Sequence, residues 1–123
     1  MQRIAPNMLN FQGKRIFLAC GFTDGRKNIL GLTSIIEKSF ALDPFDSAVF
    51  VFCNKSRNRL KIIEWDGSGY WLYLKKLEYG RFQWVEAGDE KTMTIADDEL
   101  YNLLASPGLI QKLRRIKYGH AIA

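Results

Sequence analysis

Cys20-Gly21-Phe22-Thr23-Asp24-Gly25-Arg26 has a thiol and an arginine at the C-x5-R spacing of cysteine-dependent phosphatases. That chemistry needs a thiolate beneath a nest of backbone N–H groups, with the arginine clamping the phosphate. Here Asp24 would add negative charge to the cradle, and no histidine precedes Cys20. A small buried cysteine closing a strand accounts for the residue more simply. Asp97-Asp98-Glu99 spells an acidic triad, but consecutive residues on a helix project in different directions, whereas a two-metal site gathers carboxylates from separate elements. They suit the acidic first turn of a helix. His120 is the single histidine, so a histidine-based catalytic group is not expected, and neither a metal nor an organic cofactor is implied.

Binding residues are easier to find. Arg26 and Lys27 are expected in the first turn of a helix, where cations oppose the dipole. That local cost points to a use such as gripping phosphate or an acidic partner; a plain Asp24–Arg26 salt bridge is the alternative. Asn54-Lys55-Ser56-Arg57-Asn58-Arg59 is a dense basic segment, with Lys61 following Arg59 at strand spacing. Lys55, Arg57, Arg59 and Lys61 suit a DNA backbone, and Asn54 and Asn58 can reach phosphates or base edges, although any solvated turn has a similar composition. Lys112, Arg114, Arg115 and Lys117 offer a second strip that a helix C-terminus would equally favour. Trp65, Tyr70, Trp71, Tyr73, Phe82 and Trp84 concentrate aromatics on neighbouring strands. Alternation puts Tyr70, Leu72 and Leu74 on one face and Trp71, Tyr73 and Lys75 on the other, a face for bases or a partner if open and for core if covered.

The elements that must position these residues follow from periodicity. Residues 15–19 read as a short buried strand, and residues 20–24 turn the chain. A helix capped by Thr23 or Asp24 is predicted to about Phe40, with Ile29, Leu32, Ile36 and Phe40 at helical spacing. Leu42-Asp43-Pro44 ends it. Residues 48–53, 60–65, 70–76 and 82–85 are aromatic and β-branched runs with separators too short for crossover helices, which predicts an antiparallel meander. Asp66-Gly67 is its strongest hairpin signal. A second helix is predicted from Thr94, where Thr94-Ile95-Ala96-Asp97 has capping-box spacing, and Ser106-Pro107-Gly108 stops it. Leu109, Ile110, Leu113 and Ile116 form one more amphipathic stretch, so helical character extends over about 94–119. The expected fold is one α+β domain over residues 1–123: an antiparallel β-meander packed by an N-terminal helix, with C-terminal helices.

With 123 residues, 47% of them hydrophobic, the chain can bury a core without staples. Cys20 and Cys53 make no disulfide framework or metal spacing, which suits reduced thiols in a cytoplasmic protein. No apolar run is long enough to span a bilayer, so no membrane partner is expected. A net charge of +5 favours acidic partners, nucleic acid foremost.

Cys20-Gly21-x-Thr23-Asp24-x-Arg26-Lys27, Leu42-Asp43-Pro44, Phe50-Val51-Phe52-x-Asn54, Leu60-Lys61-Ile62, Trp65-Asp66-Gly67-x-Gly69 and Leu77-Glu78-x-Gly80-Arg81-Phe82 occur in order over residues 16–82. As an ordered set this resembles the second-reading-frame accessory proteins of the insertion sequence 66 family. They share the name TnpB with an unrelated RNA-guided nuclease, which this chain does not resemble. The resemblance implies an accessory role beside the element's transposase and supplies no catalytic residues. A non-catalytic protein that assists transposition by binding DNA at the element ends, the transposase, or both is therefore expected. A purely protein-binding subunit is the alternative, and a cysteine phosphatase or cryptic nuclease a remote one.

Overall fold

The computed structural model describes residues 10–105. Its centre is β2 (Ala48–Cys53), whose six residues, AVFVFC, are all buried. A strand apolar at every position must be covered on both faces. On one side β2 pairs in parallel with β1 (Arg15–Ala19), from Arg15↔Ala48 to Leu18↔Val51. On the other it pairs antiparallel with β3 (Arg59–Trp65), which continues antiparallel into β4 (Tyr70–Lys76). The last strand, β5 (Thr92–Ile95), lies antiparallel to β1, so the sheet order is β4-β3-β2-β1-β5. A parallel pair needs a crossover. It is supplied by α1 (Ile29–Ser34) and a π-helical continuation (Ile35–Ser39), in which Phe40 N–H donates to Ile35 C=O at 3.1 Å.

Side-chain alternation divides the core in two. Leu32 and Ile36 from the crossover cover Ala19, Ala48, Phe50, Phe52 and Ile63, with Phe40 stacked on Phe52. The opposite face carries Ile16, Leu18, Val49, Val51, Leu60 and Ile62 beneath Phe82, Trp84 and Val85. Leu100, Leu103 and Leu104 of α2 (Asp97–Ala105) complete that layer. The molecule is thus an α+β domain with a mixed sheet, and β2, β3 and β4 form the expected meander.

Four expectations change. The first helix begins at Ile29 rather than after Asp24, and its N-cap position, Asn28, makes no side-chain cap bond. Asp24 instead closes a local turn by accepting the Arg26 N–H at 2.9 Å, so Arg26 and Lys27 precede the helix and the dipole argument about them falls. Residues 82–85 form no strand. The segment runs over the sheet, Phe82 N–H donating to Arg57 C=O and Trp84 Nε1–H to Ala19 C=O. An apolar run cannot distinguish a strand from a buried crossing segment. Thr94 and Ile95 end β5, and the capping bond comes from Glu99, whose Oε1 accepts the Ala96 N–H at 3.0 Å. The acidic first turn of α2, Asp97, Asp98 and Glu99, is as expected. Residues 109–119 lie outside the described residues.

Turns fix the ends of the sheet. Asp66 Oδ1 accepts the N–H groups of Ser68 and Gly69, and Oδ2 accepts Trp71 Nε1–H. The two backbone bonds, then the Trp71 and Ser68 side chains, hold the Asp66 carboxyl at a pKa of about 2. Gly67 has φ 99° with open space around it, whereas Gly21 has φ 77° and a Cβ there would sit 2.9 Å from Ala87 Cβ. Gly67→Ala is therefore expected to cost about 1–2 kcal/mol, the left-handed strain alone. Gly21→Ala should exceed it by at least about 1 kcal/mol, because Ala87 must move as well. Urea denaturation of both variants checks this; equal losses would mean that residue 87 yields freely.

Candidate nucleic-acid interface

Because β1 and β2 are parallel, the loops leaving their carboxyl ends emerge side by side. The first, residues 20–28, is pinned by Cys20 N–H to Lys91 C=O, Gly21 N–H to Val85 C=O and Thr23 N–H to Cys53 C=O, all at 2.8–2.9 Å. The last of these ties it to the end of β2. The second loop, residues 54–58, is built around Asn54. Its Oδ1 accepts the N–H groups of Asn58 and Arg59 at 3.0 Å, and its Nδ2 donates to Asn58 Oδ1 at 2.8 Å. Arg57 takes a left-handed φ of 59° to close the turn. Asn54 and Asn58 are thus engaged in shaping the loop rather than left free for a partner.

Lys61, on β3, ties down the first loop. Its Nζ donates to Gly25 C=O at 2.8 Å and to Lys27 C=O at 2.6 Å, crossing from β3 to the segment ahead of α1. Between the loops lies an open cleft of about 470 Å³ lined by Phe22, Asp24, Arg26, Asn54, Lys55 and Arg59 among others. All seven binding positions expected from sequence, Arg26, Lys27, Asn54, Lys55, Arg57, Arg59 and Lys61, belong to these loops or to β3, the strand that follows the second.

Charge is distributed unevenly. Three ion pairs link described residues: Lys14–Glu64, Arg15–Asp46 and Arg26–Asp24. Lys27, Lys55, Arg57 and Arg59 pair with no carboxylate among the described residues. Lys76 is likewise unpaired, and it stands directly opposite Arg59 in the β3–β4 register. Like charges facing each other across a ladder are destabilising, so an anion bound there would relieve a cost already present in the fold. Reading the sequence missed Lys76, which only the register places beside Arg59, and Phe22, whose signal was a lone aromatic inside an otherwise polar turn.

Arg26 is the paired member. Its Nε and Nη2 donate to the two oxygens of Asp24 at 3.1 and 2.9 Å, the salt bridge weighed as the simpler alternative. Those bonds, side chain first, hold the Asp24 carboxyl at a pKa of about 2. The guanidinium side chain is 90% exposed, and an exposed pair of this kind contributes little to stability. In a C-x5-R phosphatase the arginine would need to face the phosphate; here it faces a carboxylate. Burial pushes the other thiol, Cys53, up to about 12, against thiolate formation. The strip at 112–117 and His120 lie outside the described residues.

The aromatic face is largely closed. Phe11 packs edge-on against Tyr73 at 6.0 Å, and Lys75 Nζ donates to Leu104 C=O in α2. Trp71, at the open end, remains half exposed. Among the described residues no helix is long and apolar enough to cross a membrane.

An α+β domain with cationic loops gathered at the carboxyl ends of its parallel strands is the class defined by fold and surface. Residues 14–113 match the family described as IS66 Orf2 like protein, and the chain belongs to that family of insertion-sequence accessory proteins. It is 38% identical over 76 residues to the uncharacterized protein y4hO of Sinorhizobium fredii, covering 62% of this chain and 66% of that one. It is 39% identical over 71 residues to the uncharacterized protein y4jC of the same organism, covering 58% and 61%. The chain therefore spans just under two thirds of either relative. No solved structure matches.

The Asp24 pairing has a pH signature. A carboxylate lowered from 3.8 favours the paired loop above about pH 4 and loses that preference as pH falls towards 2. Carboxyl carbon NMR should place the Asp24 midpoint at about 2, and Arg26→Ala should return it towards 3.8. An unchanged midpoint in the variant would show that Arg26 does not hold Asp24 in solution.

Proposed function

We propose that this protein is a non-catalytic accessory factor that assists transposition by binding DNA through the cleft between residues 22–27 and 54–61, alongside the transposase. One observation carries this reading: two basic segments far apart in sequence converge on one cleft, where Lys55 and Arg59 pair with no carboxylate among the described residues. A surface of that kind gains its affinity from phosphates, whose counterions are released on binding. A second reading, a subunit that binds only protein, draws on the exposed Trp71 and Leu74 of β4, an edge strand with free backbone groups.

Salt dependence separates them. Each phosphate neutralised adds about 0.9 to the slope of log affinity against log salt. Lys55→Ala, Arg57→Ala and Arg59→Ala together should flatten the slope for element-end DNA by roughly two to three. The same change at Lys112, Arg114 and Arg115 alters net charge equally and serves as the control. Equal losses from both triples would reduce the effect to overall charge. If neither triple matters while transposase is still captured, the protein-only reading stands. Cys20→Ser should leave transposition unchanged if the protein is not a thiol enzyme; loss of transposition in a folded variant would contradict the non-catalytic reading.

A further inference from the structure

We propose that the cleft binds single-stranded nucleic acid, with Phe22 as the platform on which a base stacks. This rests on the nucleic-acid reading above and names the strand form it takes. Phe22 is 49% exposed on the cleft wall and shares that wall with Arg26, Lys55 and Arg59. Phe45 packs on Trp65 and Tyr70, and Trp71 stacks on Tyr73 while its Nε1–H donates to Asp66; Tyr79, 92% exposed, lies outside the cleft. Phe22 makes no ring contact with any described residue.

The ring is presented on a fixed backbone. Gly21 N–H is bonded to Val85 C=O on one side of it and Thr23 N–H to Cys53 C=O on the other. A phenyl on a fixed backbone has only its two side-chain torsions to lose when a ligand covers it. Phenyl surface beside Lys55 and Arg59, with Arg26 paired to Asp24 on the same wall, matches a ligand that is both π-faced and anionic. A single strand offers both, because its bases can splay out while its phosphates track the cations. A duplex keeps its base faces inside the stack, so it can satisfy the cations but not the ring. The cleft, about 470 Å³, is within the roughly 300–1,000 Å³ of ordinary ligand sites, room for a base beside the ring.

Fluorescence anisotropy with three dye-labelled probes tests this: a short oligothymidine, an abasic strand of the same length, and a matched duplex. The wild-type protein should bind oligothymidine more tightly than the abasic strand. Phe22→Ala and Phe22→Leu should weaken oligothymidine binding by about 5–150-fold, the range for loss of one stacked base, and leave the abasic strand unaffected. Phe22→Trp should restore it. Thermal melting checks that each variant folds, and Phe22→Leu keeps an apolar side chain should alanine disturb the loop. If Phe22→Ala changes oligothymidine and abasic binding equally, or neither, stacking is overturned. Should the Lys55, Arg57 and Arg59 triple still weaken every probe in that case, the nucleic-acid reading survives without it. If the triple weakens none, both fall. If Phe22→Ala abolishes transposase capture but no oligonucleotide binding, Phe22 belongs to a protein interface and the proposal is wrong.

Discussion

A strand with no polar position cannot lie at an edge or face water on either side, and β2 is such a strand: Ala48, Phe50 and Phe52 face one layer, Val49, Val51 and Cys53 the other. The covering of both faces organises the rest. The crossover from β1 brings Leu32 and Ile36 over the first face, and it makes β1 parallel to β2. The second face draws in Phe82, Trp84, Val85 and the leucines of α2 from far along the chain. Fully burying a single side chain of this size is worth about 1.5–3 kcal/mol, so the two layers together outweigh any surface charge in setting the fold.

Parallel pairing also makes the cleft. Had β1 run antiparallel to β2, the loops at 20–28 and 54–58 would emerge at opposite ends of the sheet, and the basic segments would never meet. In open sheets of parallel strands, ligands commonly bind beyond the carboxyl ends for this geometric reason. Lys55 and Arg59 then share one surface with no carboxylate paired to them among the described residues, and Arg59 faces Lys76 at a cost. Lys61 does something different. With its ammonium on the Gly25 and Lys27 carbonyls, it anchors the first loop to β3, the strand that leaves the second. Asn54 fixes the second loop in the same manner, through its own amide. Loop positioning and the proposed binding therefore fall to different residues within one basic segment.

Much of this was legible from residue order. The runs at 15–19, 48–53, 60–65 and 70–76 became strands within a residue of their expected bounds, because β-branched and aromatic residues between turn formers leave few options. The first helix began later than its polar flank suggested, since Asp24 spends its carboxylate on Arg26 and the apolar periodicity itself starts at Ile29. Residues 82–85 misled because burial alone makes a run apolar, whether or not its backbone finds a ladder. The basic residues of the cleft could be named in advance, but their convergence could not. That depends on β1 choosing a parallel partner, a long-range pairing that local periodicity does not encode; Phe22 became visible only with it, and Lys76 only with the β3–β4 register.

The central claim is that the two loops form a single anion-binding surface. Amide chemical-shift mapping during titration with a short single-stranded oligonucleotide addresses it most directly, since it reports the site without altering a residue. Perturbations should cluster at residues 21–28, 54–61 and 76 and weaken together as salt is raised. Perturbations confined to the β4 edge around Trp71 and Leu74, or to α2, with the two loops silent, would contradict it.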